Sequence, residues 1–151
     1  MKVYETFEHT ADVGLRIYGK DLRQLFVHAA EGLFDLIAEP KRAVERGQIQ
    51  RTKFQFKVEA DSQEELLVAW LRELLYLSSI RQMFFTDFKI RQLNIGAPPA
   101  VPLQQIQAEL FGEKINPKRH ILKKEVKGVT YHALSLKKEK KGWVAEVIFD
   151  V

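Results

Sequence analysis

At 151 residues, with 46% hydrophobic and 29% charged side chains, the chain has the size and composition of one folded domain rather than a disordered segment. It has no cysteine, which excludes disulfides, thiolate zinc sites and thiol nucleophiles, and no apolar run approaches the roughly 20 residues of a membrane span. A net charge of +4 permits contact with nucleic acid without requiring it. Met1-Lys2-Val3-Tyr4-Glu5 carries charge where a signal peptide needs an apolar stretch, so a cytoplasmic protein with no membrane partner is expected.

Val3 to Glu8 alternates weakly, and Leu15-Arg16-Ile17-Tyr18 alternates again before Gly19; this predicts two short strands joined by a His9–Gly14 turn. Asp21 is placed to cap a helix over about 21–37, where Leu22, Leu25, Phe26, Ala29, Leu33, Phe34 and Ile37 recur at helical spacing. His28 shares the polar side of that helix with Asp21, Glu31 and Asp35 and is expected at the surface. Glu39-Pro40 ends the helix, because a residue before proline is pushed out of the α region.

Lys53 to Val58 has the period of a strand with one polar face. Asp61 or Ser62 then starts a second helix, with Glu64 and Glu65 in its first turn. Leu66, Leu67, Trp70, Leu71, Leu74 and Leu77 form its apolar face, which leaves Glu65, Val68, Arg72 and Tyr76 to water. Glu73 falls on the shoulder of that face, so it is expected to be partly buried and to need a partner, for which Lys127 is the candidate.

Strands over 84–90 and 103–110 flank the proline-rich turn of Gly96 to Pro102, and strands over 129–136 and 143–149 flank a lysine-rich turn. The order β-β-α-β-α-β-β-β-β gives an α+β fold, a mainly antiparallel sheet with two helices, in a single domain over 1–151. The strand–helix–strand pattern occurs twice, which allows one module, around 53–115, to be inserted in the other.

Basic residues concentrate at Lys118, Arg119, Lys123, Lys124 and Lys127, and again at Lys137, Lys138, Lys140 and Lys141. The second cluster reads first as a solvated hairpin turn. His9, His120 and His132 lie in three segments without metal-site spacing, and no serine elbow or glycine-rich phosphate loop is present. The carboxylates are better candidates. Asp12 lies near the start and Asp150 beside Val151, and if these ends meet, two side chains and the α-carboxylate of Val151 bring hard oxygen donors together. Such a set suits Ca²⁺ or Mg²⁺ rather than zinc or copper. Taken apart, Asp12 reads as an Asx-turn and Asp150 as an exposed end charge.

His9-Thr10-Ala11-Asp12-Val13-Gly14, Trp70 to Leu75, Gly112-Glu113, Lys124 to His132 and Phe149-Asp150-Val151 occur in an order, from end to end, that resembles the archease family. The resemblance implies a fold of nested strand–helix–strand–strand modules. It also implies a non-enzymatic activator or chaperone of the RNA ligase that joins 2′,3′-cyclic phosphate or 3′-phosphate ends to 5′-hydroxyl ends in tRNA splicing and RNA repair. In that role the protein promotes guanylylation of the ligase and its multiple turnover. The implied cofactor is a divalent cation, Ca²⁺ first and Mg²⁺ or Mn²⁺ as alternatives, held by Asp12, Asp150 and Val151. His9, Thr10, Glu73, Lys127 and His132 are the candidate supporting or partner-binding residues.

Two positions depart from the family pattern. Asn116 stands where the family commonly has aspartate, and Gly128 where it usually has alanine. The alternatives to ligase activation are an RNA-binding module built on the two lysine clusters and a general chaperone of tRNA-processing or tRNA-modifying enzymes. A stand-alone hydrolase using paired carboxylates is a third.

Overall fold

The computed structural model describes residues 3–9, 12–41, 51–95 and 103–151. Thr10, the side chain of His9 and the proline-rich turn at 96–102 lie outside the described residues. Among the described residues, nine strands and two helices follow one another: β1 (Tyr4–His9), β2 (Asp12–Gly19), α1 (Leu22–Ile37), β3 (Ala38–Pro40), β4 (Thr52–Ala60), α2 (Gln63–Arg81), β5 (Met83–Asn94), β6 (Gln104–Lys114), β7 (His120–Leu122), β8 (Gly128–Glu139) and β9 (Gly142–Asp150). All strand pairs are antiparallel. The fold is α+β, as expected.

Three sheets result, ordered β1-β2-β9-β8, β4-β6-β5 and β3-β7. The first draws on both ends of the chain, and the second is built wholly from residues 52–114. Both helices lie between these two sheets. Helix α1 packs on β2 and β5, and α2 packs on β8 on one side and on β4, β5 and β6 on the other. The helices start where short polar side chains satisfy free N–H groups: Asp21 accepts from the Gln24 N–H at 2.8 Å, and Ser62 from the Glu65 N–H at 3.1 Å.

The sandwiched position of α2 changes one expectation. Val68 was assigned to the wet arc, yet it is fully buried, while Glu65, Arg72 and Tyr76 of that arc are exposed. Residues 68 and 72 stack one turn apart on the helix, and Arg72 reaches the Val129 carbonyl of β8. The β8 side of α2 is therefore a second buried face, which a one-sided helix pattern does not reveal. On the opposite side, Trp70 stacks on Phe56 of β4 with centroids 5.4 Å apart. Its indole N–H donates to the Phe26 carbonyl of α1 at 2.9 Å, which ties the two helices together. A second aromatic group forms where Phe34 of α1 meets Phe84, Phe85 and Phe88 of β5.

Other differences are local. Helix α1 ends at Ile37, and the Ala38 N–H closes the last turn on the Phe34 carbonyl before the chain enters β3. The β3-β7 pair escapes sequence reading because three-residue strands carry no period. His28 is half-buried rather than on the surface, since its Nδ1 lies 2.5 Å from the Tyr18 carbonyl as β2 passes under α1. The lysine turn is a tight hairpin, with Glu139 paired to Gly142 and Lys140-Lys141 at its tip. Gly142 has φ +137, and a Cβ there would stand 2.4 Å from the Gly19 carbonyl oxygen.

On the outward face of the three-stranded sheet, Glu109 accepts from Lys53 at 2.6 Å and also pairs with Arg91. The hydrogen bond from Lys53, then that from Arg91, holds its carboxyl down at about 2, against 4.5 for a free side chain. A carboxyl whose pKa is depressed on folding stabilises the fold above its unfolded pKa and loses that contribution as pH falls through the folded value. Acid unfolding should therefore show wild type more stable than Glu109→Gln near neutrality. The gap should close as pH falls from about 4.5 to about 2. A gap that stays constant over that window would show that Glu109 does not act through its charge.

Candidate functional site

Strand β2 begins at Asp12, so this residue is the first member of a ladder rather than part of the turn before it. Asp12 is the register partner of Asp150 at the end of β9. Antiparallel partners project to the same side, with Cβ atoms about 4.5–5.5 Å apart. That side is the outward one, because Val13, Leu15 and Ile17 alternate inward on β2, and Ala145, Val147 and Phe149 do so on β9. Asp12 is half-exposed, Asp150 exposed and Val151 half-exposed. The two chain ends that the sequence made interesting only in combination are thus brought together.

The register extends the row across the whole sheet, as His9, Asp12, Asp150 and Gly128 on β1, β2, β9 and β8. The next outward row runs Phe7, Gly14, Ile148 and Thr130. Here Gly14 leaves room for the Phe7 ring, which would have to move if a Cβ stood there, 2.1 Å from its tip. One row further, Arg16 bonds Glu146 at 2.8 Å and Glu5 at 2.5 Å. These carboxylates hold the guanidinium charged, with its pKa raised, Glu146 contributing most. The face thus carries a compensated ion cluster at Arg16 and a carboxylate pair at its end.

The remaining candidates are placed differently. Lys127 is exposed, and its backbone N–H donates to the Asp150 carbonyl at 2.8 Å, which fixes the strap entering β8 beside the carboxylate pair. Glu73 is half-buried on α2, in line with its shoulder position. Among the described residues the ion pairs do not join it to Lys127. A half-exposed carboxylate retains water and does not demand a cationic partner. His132 is exposed, where β8 leaves the sheet register between Thr130 and Ser135, and its N–H donates to Thr130 Oγ1 at 3.2 Å.

His120, weighed in the sequence only as a remote metal ligand, is buried. Its Nδ1 accepts from the Asn116 N–H at 3.0 Å, which assigns the ring proton to Nε2, 2.5 Å from Glu113 Oε1. Both ring nitrogens are used in clamping the 113–120 loop, and a lone histidine in a sequence gives no signal for this.

The donor chemistry of Asp12, Asp150 and a main-chain oxygen of Val151 fits a hard divalent cation, with open positions for water or a partner's phosphate. Among the described residues no group of three or more His, Cys, Asp or Glu side chains is assembled to hold a metal; this set has two such side chains and relies on the main chain for its third donor.

Compared with known proteins, residues 4–151 match the model of the archease protein family. The chain belongs to the archease family. The archease of Pyrococcus abyssi is 36% identical, with all of both chains covered. That of Methanosarcina mazei is 33% identical over 99% of this chain and 97% of its own. The solution structure of Methanobacterium thermoautotrophicum protein 1598 superposes with a TM-score of 0.78 at 27% identity, with full coverage of both chains. The crystal structure of a Thermotoga maritima archease, described as a possible chaperone, shares the fold with a TM-score of 0.61 at 15% identity, covering 97% of this chain and 96% of that one.

Both departures from the archease pattern are accommodated. Asn116 Oδ1 accepts from the Lys118 N–H at 3.0 Å, an Asx-turn that asparagine closes as well as aspartate. At Gly128 a Cβ would meet nothing within 4 Å, so the glycine answers no packing constraint.

Proposed function

We propose that this protein activates an RNA ligase of the kind that joins 3′-phosphate or 2′,3′-cyclic phosphate ends to 5′-hydroxyl ends, without performing chemistry of its own. The observation that carries this reading is the Asp12–Asp150 register on the outward face. The register sets two carboxylates on one outward side at the ends of the adjacent strands β2 and β9, a placement that offers hard oxygen donors to a cation. In this reading Asp12, Asp150 and a main-chain oxygen of Val151 hold a divalent ion, Ca²⁺ first and Mg²⁺ or Mn²⁺ otherwise. A bound ion supplies charge neutralisation and orientation to a transferring phosphoryl group. The chain's own part is positional: β2 and β9 aim the carboxylates outward, and the Lys127 N–H fixes the backbone of Asp150.

The RNA-binding reading rests on two basic clusters, one from Lys118 to Lys127 ahead of β8 and one of four hairpin lysines, Lys137, Lys138, Lys140 and Lys141, all four exposed along the β8–β9 hairpin. The four hairpin lysines stand at the opposite end of β9 from Asp150, roughly 25 Å away at about 3.3 Å per residue, and so serve a different surface, whereas Lys127 of the first cluster stands beside Asp150. The cognate ligase should be assayed for nucleotidyl transfer and for multiple turnover, with and without this protein. Stimulation that survives neutralising the four lysines is expected. Stimulation lost only in those lysine variants, with a steep salt dependence, would favour direct RNA contact instead.

A further inference from the structure

We propose that the end of the molecule formed by the β8–β9 hairpin and the β2–α1 turn binds single-stranded nucleic acid, with phosphates on its lysines and one base in a recess beside Trp143. This site is separate from the carboxylate pair and does not depend on the activator reading.

The charge at this end is uncompensated. Residues 19–24 and 136–143, joined by the Gly19–Trp143 register, carry six basic side chains: Lys20, Arg23, Lys137, Lys138, Lys140 and Lys141. Two acidic ones, Asp21 and Glu139, stand against them, and all eight are exposed. Asp21 is already used as the cap of α1, and Arg23 bonds the Ile90 carbonyl. Among the described residues the ion pairs take up none of the five lysines, although they engage Arg16, Arg51, Lys53, Lys57, Arg91 and Arg119 elsewhere. The cluster from Lys118 to Lys127 is different. There Arg119 faces Glu113, Lys123 acts on Asp35, and Glu125 and Asp150 are exposed beside the lysines. An open concentration of basic charge is the electrostatic footprint of a polyanion.

A lysine-rich turn alone would be an ordinary solvated hairpin. What adds a ligand is the recess at its root, of about 300 Å³, between Gly19 and Lys20 on one side and Glu139, Lys141, Gly142 and Trp143 on the other. Trp143 is half-buried, and in the ladder it stands opposite Gly19, so its register partner on β2 has no side chain to lay over the indole. Gly142, at φ +137, lets the hairpin approach the Gly19 carbonyl more closely than any side chain would allow. The recess thus combines bare glycine backbone, one indole ring and the two exposed ammonium groups of Lys20 and Lys141.

That combination selects the occupant. Proteins that hold single strands without reading their sequence join a basic track to an aromatic side chain on which a base stacks. A duplex keeps its bases stacked on one another and would meet the lysines alone. An acidic peptide would likewise use the lysines and bring no base to the indole.

The test is a titration of the full chain with labelled oligouridylate and oligothymidylate at low salt, followed by anisotropy and by tryptophan fluorescence. Wild type is compared with Trp143→Phe and with Lys137→Gln, Lys138→Gln, Lys140→Gln and Lys141→Gln combined. The four lysines are exposed, so that variant should fold as wild type does, and Trp143→Phe keeps a ring in place. Neutralising the lysines should weaken binding by about tenfold or more and flatten the salt slope by about 0.7 for each lysine lost. Binding should quench the fluorescence of wild type and not that of Trp143→Phe, whose remaining Trp70 is buried. Either oligonucleotide bound in this way supports the site, and the tighter one identifies RNA or DNA as its source. No binding by wild type, or unchanged affinity in the lysine variant, would overturn the proposal. Binding without the quench, or equal affinity for a duplex, would reduce the site to a non-specific basic patch. Displacement of the oligonucleotide by oligoglutamate of equal charge would make it a dock for acidic protein instead. Ligase stimulation has no part in these readouts, so failure here leaves the activator reading standing.

Discussion

Asp12→Ala is expected to abolish both divalent-cation binding and stimulation of nucleotidyl transfer, while leaving the fold in place. Asp12 is half-exposed at the start of β2 and contributes nothing to the core, whose nearest members are Val13 and Leu15 on the opposite face. Asp12 is a partly exposed side chain outside the core, so its truncation should change stability by no more than about 0.5 kcal/mol in the absence of metal. The loss of affinity should exceed the roughly 10–100-fold that removing an outer-shell partner costs, because a charged donor itself is gone. A direct signature follows from linkage, since an ion that binds only the folded state raises its melting temperature. Ca²⁺ should shift the melt of wild type and not that of Asp12→Ala, and single-turnover guanylylation of the ligase should lose its stimulation in parallel. Full stimulation by the variant would defeat the metal route. Loss of the Ca²⁺ shift with stimulation retained would separate the ion from activation.

How far the site could be read from the sequence depends on what each residue reveals alone. Asp12 and Asp150 were legible as carboxylates at strand ends, but their pairing is a matter of register across 138 positions, which no local pattern encodes. It was the family resemblance that joined them. The helices were legible because their signals are local: Asp21 and Ser62 cap where short polar side chains precede an apolar period. Val68 was misplaced because a helix held between two sheets buries two faces, whereas a single apolar stripe suggests one. His28 was misplaced for a related reason, since the Tyr18 carbonyl that engages it comes from β2 and not from its own helix. The Arg72–Tyr131 contact was invisible for the same cause; Arg72 reads as a wet helix residue until β8 is laid against α2.

Trp70→Ala should be the most damaging single change to the fold itself. Trp70 is fully buried and lies where α2 meets both α1 and the three-stranded sheet. Truncating a buried tryptophan to alanine costs about 3–5 kcal/mol, and losing the indole bond to the Phe26 carbonyl, which keeps its helical partner within α1, adds about 0.5–1.5 kcal/mol. Against a total stability of about 5–15 kcal/mol for a domain, that leaves the protein near or beyond unfolding. Trp70→Phe separates the two contributions, because a ring can still stack on Phe56 while no N–H reaches Phe26. Its loss in urea unfolding should therefore be the smaller one, closer to that of a single buried hydrogen bond. If Trp70→Ala unfolds at nearly the wild-type urea concentration, the central helical layer does not depend on this side chain. The two sheets would then have to be held together by the phenylalanine group around Phe34 instead.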